Sequence, residues 1–105
     1  MVVLLTLGIV TGCASSQAAA LAHQACGHVA KAERLQHQAD AASGARAHGF
    51  SIRAERQLEI AEPLAAMAAG DDPTWQALQA DLSQVPRMPN SVILPSLRAA
   101  CAQGS

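Results

Sequence analysis

Four histidines, His23, His28, His37 and His48, fall within 26 residues of a 105-residue chain. Imidazole is a common metal ligand, so such crowding raises the question of a metal-binding helix. Two ligands on one helical face need steps of three or four residues, and none of the four stands at such a step from another. Glu33 and His37 are four apart, whereas carboxylate-bridged metal bundles use Glu and His three apart on each of two helices, and no second copy is present. The expected role of the histidines is a solvated polar surface with no metal or cofactor assigned. A ligand- or metal-binding first helix that uses them is the alternative reading.

Other reactive groups are equally sparse. Glu55, Glu59 and Glu62 share a helical face and have the spacing of an acid and base pair, but Arg56 sits among them and no cleft is implied. Asp71 and Asp72 offer too few oxygens for a cation, and Asp72 ahead of Pro73 reads as a helix cap. Cys26-Gly27-His28 lacks the second cysteine of a redox or haem-attachment motif. No nucleophile elbow and no phosphate-cradling glycine loop occurs, so the chain is not expected to be an enzyme. Seven basic against eight acidic groups provide no basic stripe in the sequence for a phosphate backbone, so nucleic acid is not an expected partner.

Cys13 is different. Residues Val2 to Val10 are apolar except for Thr6 and Gly8, a run too short to cross a bilayer as a helix, and the small residues Thr11 and Gly12 follow it. Val10-Thr11-Gly12-Cys13 resembles the lipobox of bacterial lipoproteins, and the resemblance covers these first thirteen residues alone. The segment departs from the family pattern in carrying no positive charge ahead of the apolar run except the amino group of Met1. The resemblance implies a signal peptide over residues 1–12, a diacylglyceryl group on the Cys13 thiol, a tether over 13–17 and a helical domain over 18–105. It places the chain in the bacterial cell envelope, membrane-anchored by lipid and facing outside the cytoplasm. Each buried methylene contributes about 0.8 kcal/mol, and stable anchoring takes two chains, which a diacylglyceryl group supplies.

With Cys13 assigned to lipid, Cys26 and Cys101 remain as an even pair in an oxidising compartment, and a bridge between them is expected; two separate buried thiols are the other possibility. A mature chain of this size with 24 alanines and only Phe50 and Trp75 as aromatics builds a thin core, so a cross-link would matter to its stability.

The elements that must carry these residues are helical. From Ser16 to Ala42, Ala22, Ala25, Val29, Ala32, Leu35, Ala39 and Ala42 recur at steps of three and four, with Ser15 or Ser16 as the expected cap. Ser43 to Gly49, with two glycines, reads as the turn. A second helix is expected from Ser51 to Ala69 with Ala54, Leu58, Ala61, Leu64 and Ala68 inward. Pro63 should kink or break it, and Gly70 should end it in the left-handed conformation. Asp72-Pro73 starts a third, with Trp75, Leu78, Leu82 and Val85 on one face and Trp75 read as core. After an extended link between Pro86 and Pro89, a last helix spans Pro95 to Ala102; Ser91 to Leu94 is open between strand and helix. The expectation is an all-α bundle of three or four helices, disulfide-stapled, after an N-terminal signal segment. Its expected role is a non-catalytic structural or protein-interaction module that binds an envelope protein or itself.

Overall fold

The computed structural model describes residues 2–103, with side-chain surroundings from Ser16 onward. Four α-helices follow in order: α1 (Val2–Asp40), α2 (Gly44–Asp71), α3 (Gln76–Leu82) and α4 (Asn90–Gln103). Two 3₁₀ turns, Pro73–Trp75 and Val85–Arg87, flank α3. No strand occurs among the described residues. The architecture is an all-α bundle in which α1 and α2 form a long antiparallel hairpin and α3 and α4 cover its inner side.

The hairpin seam is made of small residues. Ala18, Ala22, Ala25, Val29 and Ala32 of α1 are buried with Ala54, Leu58, Ala61, Ala65 and Ala68 of α2. On α1 this is the expected stripe, with Leu35 at its half-buried edge; Ala42, also half-buried, falls in the turn beyond the helix. On α2 the stripe turns by one residue from expectation: Ala65 is buried and Leu64 half-buried. Alanine at the seam lets the backbones approach closely, so the longer Leu64 side chain is left at the rim. Trp75, Leu78, Leu82, Val85, Ile93, Leu94 and Leu97 supply the bulk of the remaining core. Trp75 is 3% exposed, as its place at the head of an apolar stripe predicts.

Several boundaries differ from the sequence reading. The turn is only Ala41 to Ser43, followed by Gly44 at φ +62, a left-handed geometry glycine adopts without a Cβ clash. Ala45 to Gly49, read as turn, already belongs to α2, because burial of the following face extends the helix back to the first position that reverses the chain. Gly70 does not end α2 in the left-handed conformation. The helix runs to Asp71, and the Asp72 N–H donates to the Ala68 carbonyl at 2.9 Å, continuing the helical pattern. Pro63 does not break α2; it is exposed, on the solvent side where the carbonyl it leaves unbonded can be hydrated. Pro95 likewise sits inside α4, which starts at Asn90 with the Pro89 carbonyl accepting from Val92 and Ile93, so Ser91 to Leu94 is helical. The link before it is less extended than expected: Pro86 lies in a 3₁₀ turn, which ends at an extended Met88.

Ser15 and Ser16 are not a cap, since α1 is already helical upstream, and the segment 13–17, expected as a tether, continues the same helix. That stretch has no proline or glycine after Gly12, and alanine and glutamine favour helix. No helix among the described residues is long and apolar enough to cross a membrane.

Candidate functional site

Cys26 on α1 and Cys101 on α4 are joined by a disulfide, their Cα atoms 5.8 Å apart. The bridge fastens the last helix to the first across 75 residues of sequence, at the half-buried edge of the core. The Cys13 backbone lies in α1, and its side chain lies outside the described residues.

The structure disperses the histidines. His23 lies edge-on to Trp75 with ring centroids 6.3 Å apart, and His28 Nδ1 donates to Gln57 Oε1 at 2.8 Å across the hairpin. His37 and His48 are exposed on different helices. Among the described residues no group of three His, Cys, Asp or Glu side chains could hold a metal ion. Asp72 caps the turn after it: its Oδ1 accepts from the Thr74 N–H at 3.0 Å, a bond that holds its carboxyl below the usual carboxylate range.

Several clefts flank the hairpin. One, of about 530 Å³, lies where α1, α2 and α4 meet near the turn. Its floor is a polar junction: Gln36 Oε1 accepts from Ser51 Oγ at 3.3 Å and from Asn90 Nδ2 at 3.0 Å, and Asn90 Nδ2 also reaches the Ser51 carbonyl at 3.1 Å. Gln36 Nε2 donates to Asp40 Oδ1 at 3.0 Å. With its amide oxygen and amine both engaged, Gln36 positions the start of α4 and is better suited to structure than to ligand capture.

Another cleft runs along the outer face of the hairpin. One part, about 330 Å³, is lined by Lys31, Arg34, Leu35, Gln38, Arg53 and Gln57. The adjoining part, about 450 Å³, adds Ser43, Arg46 and Phe50. On α2, positions 46, 50, 53 and 57 recur at steps of four, three and four, so one helical face delivers them. The guanidinium carbons of Arg46 and Arg53 lie 5.8 and 5.7 Å from the centroid of the Phe50 ring, in cation–π range. No carboxylate lines either part. Glu33 and Asp40 line a separate cleft against α4, where Arg98 donates to Glu33 Oε2 through Nε at 2.8 Å and through Nη2. Glu55 faces the Gln36 cleft. Arg98–Glu33 is the only ion pair among the described residues, so the four cations of the outer groove have none.

The cations of the hairpin are therefore confined to one half of its length. From the His28–Gln57 pair to the connecting turn it carries Lys31, Arg34, Arg46, Arg53 and Arg56 together with Glu33, Asp40 and Glu55; from that pair to the other end it carries Glu59, Glu62 and Asp71 and no Lys or Arg. Near-neutral composition hid this groove from the sequence reading. The signal that could have found it is the four, three, four spacing of Arg46, Phe50, Arg53 and Gln57. No family model, curated protein or solved structure matches the chain.

Proposed function

We propose that the chain is an exported bacterial lipoprotein, held at a membrane through lipid on Cys13, whose helical bundle serves as a non-catalytic interaction module of the cell envelope. The observation that carries this reading is the Cys26–Cys101 bridge. Structural disulfides persist in oxidising compartments, and the one cysteine left over stands directly behind an apolar run and two small residues, where lipoprotein signals place it.

Two further features support it. The first described core residue is Ala18, so a chain cut ahead of Cys13 retains every described core residue. The five residues from Cys13 to Gln17 continue α1, about 7.5 Å of helix, so lipid on Cys13 would hold the bundle close to the bilayer with the cation-free end of the hairpin nearest to it.

The decisive experiment is an intact mass of the mature protein from membranes. The expected mass is that of residues 13–105 plus diacylglyceryl and acyl groups, less two hydrogens for the disulfide. An unprocessed N-terminus, or membrane fractionation unchanged in Cys13→Ala, would overturn the anchor.

A further inference from the structure

We infer that the outward face of α2 is where two copies of the chain pair, side by side and in parallel, on one membrane. The inference rests on the anchored reading above and names the partner of the module as a second copy. Ile52, Arg56, Ile60, Pro63, Met67 and Gly70 recur at steps of four, four, three, four and three, which is 18 residues in about five turns, so they form one stripe along the helix about 27 Å long. All six are exposed, on the face opposite the buried Ala54, Leu58, Ala61, Ala65 and Ala68. Ile52 and Ile60 are each 43% exposed and Met67 is 56% exposed, three of the five large apolar side chains left in solvent among the described residues. Scattered exposed apolar groups are ordinary, whereas several aligned along one helix offer a contact seam.

The charges on the stripe select the occupant. Arg56 lies close to its midline and Glu59, three residues further on, lies to one side of it. Neither has an ion-pair or hydrogen-bond partner among the described residues. A two-fold axis parallel to the helices brings each flank of the stripe against the opposite flank of the other copy. Arg56 of each copy then faces Glu59 of the other, which offsets the approach of the two arginines, and Met67 lies over the small Gly70 of the other copy. The seam is thus complementary to itself.

The anchor fixes the direction of the pair. Both copies are held by the same end of α1, so their hairpins rise from the membrane in the same sense and the two α2 helices run parallel. The stripe runs along the hairpin and away from the bilayer, so lipid cannot cover its length. A contact along one helix buries less than the roughly 1,600 Å² of a standard interface, so the pair is weak in free solution and relies on the high local concentration that a shared membrane gives.

The test is single-cysteine cross-linking of the full chain in membranes with a short thiol-reactive reagent. Ile52→Cys and Met67→Cys lie 15 residues apart on α2, about 22 Å of helix, and each should cross-link to its own counterpart as a dimer. Lys31→Cys, exposed on α1, should not. Arg56→Glu and Glu59→Arg should each lower the dimer fraction about fivefold by setting like charges together, and the two changes combined should restore it. All four α2 positions are exposed, so helical circular dichroism should be unchanged, and should any one variant fail to fold the others still decide. Cross-linking only when the Ile52→Cys and Met67→Cys chains are mixed would mean an antiparallel pair, and cross-links to other proteins alone would mean a different partner. Either result, no dimer at all, or a combined charge reversal that fails to restore it would overturn the inference. The mass of the mature protein reads the anchor independently, so a lipidated chain without these dimers sinks this inference alone, and parallel dimers of an unlipidated chain sink the anchor alone.

Discussion

The two sides of the bundle are built from different materials. Along the α1/α2 seam nearly every buried residue is alanine, with Val29 and Leu58 the exceptions, whereas the short elements from Pro73 onward bury Trp75, Leu78, Leu82, Val85, Ile93, Leu94 and Leu97. An alanine seam gains close helix contact but removes little apolar area from water per residue. A buried Leu or Ile contributes roughly 1.5 to 3 kcal/mol. The long helices thus supply length and an outer groove, and the short ones supply most of the hydrophobic stabilisation. The disulfide links the two, α1 to α4.

The largest expected effect comes from uncoupling them. Cys101→Ser, or reduction of the parent, should cost about 4 kcal/mol by relaxing a long closed loop of the unfolded chain, seen as a lower melting temperature. Equal stability with and without reductant would mean that packing alone holds the cover. Leu78→Ala should cost about 3 kcal/mol in chemical denaturation by leaving a cavity among large neighbours. On the seam the sensitive direction reverses: Ala61→Leu should cost about 2 kcal/mol by forcing two close helices apart. If leucine were tolerated there without loss, the seam would not be tight and the contrast would fail.

The smallest effect concerns the junction between the two sides, where Asp72 caps the turn into the cover. Its folded-state carboxyl titrates below its usual value, so its contribution is present above the ordinary carboxylate range and lost as pH falls through the depressed value. Asp72→Asn should lower the melting temperature slightly at neutral pH and flatten its decline on acidification. Parallel curves for parent and variant would remove the cap from the account.

Much of this was legible in the sequence. The steps of three and four in α1 placed Ala22, Ala25, Val29 and Ala32 inward, Asp72-Pro73 marked the cap, and Trp75 at the head of its stripe was core. Cysteine arithmetic paired Cys26 with Cys101. Local signals failed where burial overrode them. Pro63 and Pro95 are natural breakers, yet each faces solvent in a helix whose opposite face is packed, and the lost backbone bond is outweighed. Gly70 had the composition of a helix end but is followed by a residue whose N–H finds the next helical carbonyl.

The sequence by itself determined the helical class and the inward stripes and pointed to the cross-linked pair, because helical periodicity and the two cysteines left once Cys13 is set apart are properties read along the chain. Only the tertiary structure decided which charges meet. Lys31 and Arg34 lie more than ten residues from Arg46 and Arg53 in sequence, and their neighbours Glu33, Asp40 and Glu55 neutralise them in any count by composition. Folding the hairpin in antiparallel register brings Lys31, Arg34 and Arg53 to one cleft, sets Arg46 and Arg53 beside Phe50, and turns those carboxylates to other clefts. Charge adds up along a sequence, but a partner meets it one face at a time.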